Sequence, residues 1–511
     1  MSLQTAASSA AWSPSANDAA CMAFLSFVSL LAALDSTVMV TILPIIARDL
    51  KGSAADSFWT GTSYLLTSAV SQPFIATLAD SFGLHRKLLW LSIGTFAVAS
   101  IICALSRTFT PLLTGRFIQG IGGGGILTLV QIIFARLVPL RERPRWFSIV
   151  LAAWAIGTVG GPFVGSILAT KTSFHWIFWL NLPFCGLALV LIPFVVPSFP
   201  SMAPCSWSQV NWVGAIVILS STTSILLGLS WGGVTFPWTS KWTLLALGLG
   251  IFGLLLFNIW EHNFAKFPFI QASMFGTRSL VAAYFCALLQ GLILFCLLYY
   301  IPFYFASAQQ RTPMQSSVCL LPLSCSLLPG AVVASQVISR TGRYRWALWL
   351  GWVLTALGSG LLLLLRADTT ASIWIIVLIV LGVGNGSLLS AINFNIQSII
   401  DPRNSSSAAS MYTFFRSLGM AVGVTIGGSL FQNVMAGSLS RSGLSTAIAK
   451  DAEGFVYRLD LLDDSALHKI LNAYLDGFHG VFYVLLGVST LGLGINTFTQ
   501  MYGSGRTNGP D

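Results

Sequence analysis

The stretch LVAAYFCALLQGLILFCLLYYIPFYF at 280–305 runs for 26 residues without a single charge. As a helix it would cover about 39 Å at 1.5 Å per residue, more than the ~30 Å of a bilayer's hydrocarbon core. Backbone polar groups in hydrocarbon must be satisfied within the segment, so such a run crosses as a helix. Outward from it, comparable runs fill the chain. They lie at 21–46, 57–79, 88–105, 111–134, 146–170, 176–196, 212–231 and 242–260 before it, and at 316–338, 346–365, 373–396, 408–434 and 478–500 after it. The reading is an all-α integral membrane protein with about fourteen transmembrane helices.

Composition agrees. Of 511 residues, 55% are hydrophobic and only 8% charged, against roughly a quarter charged in soluble domains. The +10 formal charge does not indicate a nucleic-acid partner, because the basic residues stand singly or in short clusters between spans. The eight cysteines are scattered, several inside apolar runs (Cys103, Cys185, Cys286, Cys296). They offer no ligand spacing for a metal and no disulfide framework, and no cofactor is expected. The first twenty residues lack a basic leader, so the first span is expected to serve as the insertion signal.

Loop charge gives the orientation. With the N-terminus in the cytosol, the inner loops receive twelve Lys and Arg, among them Arg86, Arg136, Arg141, Arg143, Lys266, Arg343 and Arg403. The short outer loops receive seven, including Arg48, Lys51 and Arg311. Both termini are expected in the cytosol. The divisions are a tail at 1–20, a six-helix bundle at 21–197, two inserted helices with their loops at 198–278, a second six-helix bundle at 279–500, and a tail at 501–511. An outer loop is expected at 435–477, with Leu467, Ile470, Leu471, Tyr474 and Leu475 at helical spacing.

The two bundles repeat one another. Leu43-Pro44 matches Ile301-Pro302, Gly83 matches Gly342, and the glycines of 120–125 match Gly382, Gly384 and Gly386, all at an offset near 260 residues. Two repeats that rock about a site between them are the common plan of secondary transporters.

Four local patterns, in order along the chain, carry a resemblance. They are Leu34-Asp35-Ser36-Thr37-Val38 closing on Leu43-Pro44; Leu78-Ala79-Asp80-Ser81-Phe82-Gly83 followed by Arg86-Lys87; Arg116-Phe117-Ile118-Gln119-Gly120-Ile121-Gly122; and Gly157, Gly161-Pro162 and Gly165. Together they resemble the first-span, loop, fourth-span and fifth-span motifs of the major facilitator superfamily, in its fourteen-span drug:proton antiporter family. Trp231-Gly232-Gly233 with Phe236-Pro237-Trp238, and Gly342-Arg343-Tyr344-Arg345-Trp346, look like the fungal toxin and multidrug efflux branch. The chain departs from the pattern at Ala76, Ser81, Leu84 and His85 in the loop motif, at Arg136 where an acidic residue is usual, at His175, and at Ser166 in place of a final glycine.

Asp35 stands mid-span, where an ionised carboxyl is costly without a partner and marks proton or cation handling. The resemblance implies that Arg116 couples proton release to closure, that Asp80, Gly83 and Arg86 form a cytosolic gate with Asp80 accepting from Arg86 or a helix terminus, and that Gly157, Gly161, Pro162 and Gly165 belong to the antiporter helix. Such glycines also serve plain close packing. Gln119, Gln290, Tyr299, Asn393 and Arg416 are candidate cavity residues; for Arg416, pairing with a carboxylate and bonding to carbonyls both remain open.

The function expected is proton-coupled export of small amphipathic organic molecules by alternating access, at the plasma membrane or an internal one, by a monomer. Importing a nutrient or siderophore on the same fold is the alternative, and a sensor a weaker one. An embedded enzyme is disfavoured: the five histidines (85, 175, 262, 468, 479) fall at span ends or in loops, and no P-loop lysine follows Gly160–Gly165.

Overall fold

A computed structural model describes residues 13–50, 54–140, 142–199, 211–232, 236–263, 272–400, 404–461 and 463–499. Most of the tails expected at 1–20 and 501–511, and Lys51, Arg141, Lys266 and Arg403 of the charge count, lie outside the described residues. The first half is built from α1 (Ala16–Val38), α2 (Leu43–Asp49), α3 (Ala54–Phe82), α4 (His85–Ala104), α5 (Phe109–Leu137), α6 (Arg143–Lys171) and α7 (His175–Val195). Then come α8 (Trp212–Trp231) and α9 (Lys241–Asn263). The second half comprises α10 (Arg278–Ser307), α11 (Pro313–Cys319), α12 (Leu321–Thr341), α13 (Arg345–Leu361), α14 (Ala371–Ile399), α15 (Ser405–Arg441), α16 (Ala447–Lys450), α17 (Ala452–Phe455) and α18 (Asp464–Ile495).

Thirteen segments among the described residues are long and apolar enough to cross a membrane, α11 and α12 counting as one. The fourteenth crossing is α3. It is as long as its neighbours, but Thr60, Thr62, Ser63, Thr67, Ser68, Ser71 and Gln72 dilute its hydropathy. All seven are buried inside the protein, so the helix hides its polar face from lipid and crosses by virtue of its company. By contrast, α9 shows Leu245, Ile251, Phe252 and Leu255 outward. The inserted pair leans through α8 on α3 and α15, at the seam between the halves.

Local chemistry sets the helix ends. Ser15 and Asp18 form a reciprocal capping box that starts α1, with bonds of 3.2 and 3.1 Å. Gly83 and Gly342, the pair matched in the sequence repeat, adopt left-handed φ of 65° and 67°. Each turns the chain between two crossings where a side chain would be strained.

Glycines also set how closely helices approach. A Cβ on Gly157, Gly161 or Gly165 would fall 2.5, 2.2 or 2.7 Å from atoms of α1. In the second half Gly419 and Gly423 would meet the Leu288 and Leu292 carbonyls of α10 at 2.0 and 2.4 Å. Both glycines stand 262 residues after Gly157 and Gly161 (419 − 157 and 423 − 161). The α1–α6 and α10–α15 pairs are thus one packing solution used twice.

The segment between the last two crossings, expected as a loop at 435–477, is shorter than expected. Helix α15 continues to Arg441 and α18 begins at Asp464, so the positions from Leu467 to Leu475 form the opening turns of the last crossing. They stay helical because Ile470 and Tyr474 bury a face in the second half. Between the two helices, α17 lies against α2 and α3 and covers that end of the first half.

Candidate functional site: a buried charge cluster beside a central cavity

Asp35 lies in the last turn of α1 and Arg116 two turns into α5, both withdrawn from solvent. Arg116 Nη1 donates to Asp35 Oδ2 at 2.8 Å and to Gln119 Oε1 at 2.8 Å. Arg116 Nε donates to the Thr60 carbonyl at 3.1 Å, and the guanidinium lies 4.5 Å over the Tyr64 ring. The other carboxylate oxygen accepts from Gln119 Nε2 at 2.9 Å and from Asn181 Nδ2 at 2.7 Å. Ser100 accepts from Gln119 at 3.0 Å. Five helices therefore meet at one pair. Several kcal/mol per ion, roughly, is the effective penalty for burying such charges, and only good geometry with satisfied lone pairs offsets it.

This cluster sits inside the first half. Gln119, expected on the cavity wall, belongs here instead: its amide bridges the carboxylate and Ser100, since it stands three residues along α5 on the face of Arg116. Next to Asp35 in sequence, Ser36 faces the other way, into a cavity of about 40 Å³ between the halves. That cavity has room for a few waters, since one needs roughly 10–15 Å³. Tyr64 lines it and separates it from Arg116. Its far wall carries Arg416, whose guanidinium stacks 4.5 Å over Trp154.

A second, smaller cavity of about 20 Å³ continues toward the end of the bundle that carries the loop glycines and most arginines, here called the basic end. It shares Gln131, Phe147 and Leu151 with the first and adds Arg143, Asn393 and Gln397. Asn393, expected to line the cavity, does so, and accepts from Gln397 at 2.7 Å. Tyr299 is packed instead at the α3 seam, where a Cβ on Gly61 would come 2.6 Å from its hydroxyl. Gln290 is buried in α10 with neither amide atom partnered and lines neither cavity.

Both ends are clasped. At the basic end Asp80 Oδ1 accepts from Arg136 Nη2 at 2.7 Å and contacts His85 Nε2 at 3.1 Å. Asp80 Oδ2 takes weak bonds from Ser406 and Ser407 of α15 at 3.4 and 3.3 Å. Arg86, expected as its partner, is not: α5 brings Arg136 alongside the end of α3, and His85 opens α4 directly across the Gly83 turn. Arg143 adds a second tie between the halves, donating to Gln397 at 2.7 Å and to Ser405 at 3.1 Å. At the opposite end the Pro162 carbonyl accepts from Thr41 at 3.2 Å and from Ser317 of α11 at 3.1 Å. Ser166 meets the same Ser317 hydroxyl at 2.9 Å. Halfway between, Gln72 donates to Ser417 at 2.8 Å.

The segment covering the opposite end contains Glu453, whose Oε2 is shielded and without a partner among the described residues. Burial, and secondly the charge of Asp451, push its pKa up from 4.5 to about 7.

The family model of the Major Facilitator Superfamily matches residues 25–424, most of the chain. The chain belongs to that superfamily. Among its relatives, "MFS transporter L2" of Phoma sp. is 40% identical, covering 85% of this chain and 74% of its own. "MFS efflux transporter aclA" of Aspergillus oryzae is 32% identical over 92% and 87%. "Efflux pump FUS6" of Gibberella moniliformis is 31% identical over 92% and 85%. Two solved structures share the fold: a bacterial homologue of the human lysosomal transporter Spinster, inward-facing and occupied (TM-score 0.62, 15% identity, covering 95% of this chain and 97% of that one), and the human organic anion transporter MFSD10 (0.62, 14%, 94% and 99%).

In this major facilitator three of the departures from the family pattern fall at the clasps. His85 and Arg136 together hold Asp80, and Ser166 supplies a hydroxyl that a glycine could not. Sequence reading had counted Arg143 only as a loop charge and had not placed Trp154. One signal could have found Trp154: it stands 262 residues before Arg416 (416 − 154), at the same offset as the glycines.

Proposed function

We propose that this protein is a proton-coupled exporter of small amphipathic organic molecules, a transporter rather than an enzyme, acting as a monomer in the plasma membrane with both termini cytosolic. The basic end is then the cytosolic one. The observation that carries the proton-coupled reading is the Asp35–Arg116 pair, closed off from solvent and one residue from a side chain that lines the cavity. Protonating Asp35 would remove its half of the attraction. Arg116 would still keep the Gln119 and Thr60 oxygens and the Tyr64 ring, so the cation stays housed while the carboxyl changes state. Shifting α1 on α6 would then carry the charge change to the Pro162 and Ser166 clasp. The names of the relatives, efflux transporters and pumps, support outward transport of organic molecules. Asp80 and Arg143 close the cytosolic mouth in this reading, and Gly157, Gly161 and Gly165 are the surface on which α1 slides.

The test is retention of a panel of toxins and dyes in pump-deficient cells that express the intact chain or Asp35→Asn, with and without a collapsed proton gradient. Lower retention that both the substitution and the collapse abolish supports proton-driven export. Retention that rises with expression, or that falls regardless of gradient and Asp35, replaces it with import or facilitation.

A further inference from the structure

Arg416 is more than nine-tenths buried, with Nε and Nη2 unpartnered among the described residues. A desolvated guanidinium without a counter-charge is an expensive arrangement, and proteins retain it where a ligand completes it. Among the described residues no carboxylate is placed to complete this one. Of the acidic residues described, Asp35 is the one buried in the bundle, and it is engaged by Arg116, Gln119 and Asn181. The Trp154 face supports the cation and fixes the plane of its fork, but it offers no hydrogen-bond acceptor in that plane.

The surroundings point the same way. The two adjoining cavities, which share three lining residues, are lined by two arginines, Arg416 and Arg143, and by no carboxylate. The first cavity pairs an apolar, aromatic part of its wall, with Phe147, Leu151, Phe295 and Met420, with the hydroxyls of Ser29, Ser36, Ser68, Thr413 and Ser417. Such a vestibule attracts anions along its length and desolvates an apolar body at its head.

We infer that the cargo is an organic acid carried as its anion, an aromatic or apolar body bearing one carboxylate or equally acidic group, and that Arg416 is its anchor. Once the halves part and the ~40 Å³ cavity of this closed state widens, the acid group accepts from the guanidinium fork while the body lies among Phe147, Phe295 and Met420. This rests on the transporter reading above and names its substrate class. Asp35 and Arg416 then have separate duties, the first toward the proton and the second toward the cargo.

Binding is measured on the full chain in nanodiscs, with no gradient, by thermal shift and competition. The probes are benzoate, naphthoate and anthracenecarboxylate, each against its methyl ester. The acids are expected to bind about ten- to hundredfold more tightly than their esters, the usual range for a charge-assisted hydrogen bond. Arg416→Gln should bring acid binding down to the level of the ester, while a single elution peak and an unfolding midpoint no lower than the parent's show that the variant is folded. Arg416→Lys should keep part of it. The inference is overturned if no acid outbinds its ester, if Arg416→Gln weakens acid and ester alike, or if acid preference survives in Arg416→Gln. Because no flux is involved, it can fail while proton-driven export stands, and the reverse.

Discussion

Arg116 and Arg416 are both buried arginines in long crossing helices, one in each half of the molecule, yet their surroundings are opposite. Arg116 is ringed by Asp35, Gln119 and the Thr60 carbonyl, whereas two nitrogens of Arg416 meet no acceptor. Each stacks on one aromatic ring at 4.5 Å, so the ring does not make the difference. The same glycine offset packs α1 on α6 and α10 on α15. A repeated scaffold has therefore been given two unlike electrostatic contents: a self-contained ion pair in the first half and an incomplete one in the second. In the functions proposed above, the first changes state by taking a proton and the second by taking a ligand.

The comparison predicts unequal responses to substitution. The largest is expected for Arg116→Ala, which strands a buried carboxylate and should cost roughly 3–5 kcal/mol. Thermal unfolding in detergent should fall steeply and yield with it. Arg416→Gln removes a buried cation that has no counter-charge among the described residues, so the unfolding midpoint should hold or rise. Equal losses in the two variants would end the distinction.

The clasps give a smaller, one-sided effect. Arg136→Glu places a like charge beside Asp80 in place of a 2.7 Å ion pair, so a single cysteine introduced at Gln397 should become more reactive to a polar maleimide. Ser166→Gly removes the hydroxyl shared with Thr41 and Ser317 and should cost roughly 0.5–1.5 kcal/mol for each bond lost. It should expose Ser317→Cys at the other end and leave the basic end unchanged. If either substitution loosens both ends, the two clasps are not separate devices.

The smallest effect concerns pH. Glu453 titrates at about 7 in the folded segment against 4.5 ordinarily. A raised carboxyl pKa means that the folded form holds the proton more strongly. Its favourable contribution is complete below about 4.5 and is lost as pH rises through about 7. Hydrogen exchange across 447–461 should accordingly quicken between pH 6 and pH 8, and Glu453→Gln should flatten that dependence. A segment equally protected throughout would mean that the carboxyl does not govern how the cover packs.

Much of this was legible in the chain itself. Span after span of uncharged sequence leaves the backbone one way to satisfy its hydrogen bonds in hydrocarbon, so crossing helices follow from composition alone. The rare charges announced themselves for the same reason: Asp35, Arg116 and Arg416 are too costly to stand in such helices without purpose. The left-handed turns at Gly83 and Gly342 were likewise visible as matched glycines. What the chain could not disclose was which side of a helix looks where. In a membrane bundle every face is apolar to some degree, and the periodicity that sorts core from surface in soluble helices is faint. Only the packed structure decided that Asp35 turns into the first half while Ser36 turns to the cavity, that Gln119 serves the ion pair, that Asp80 is held by Arg136 and His85 across the Gly83 turn, and that Arg416, unlike Arg116, meets no acceptor at Nε and Nη2 among the described residues.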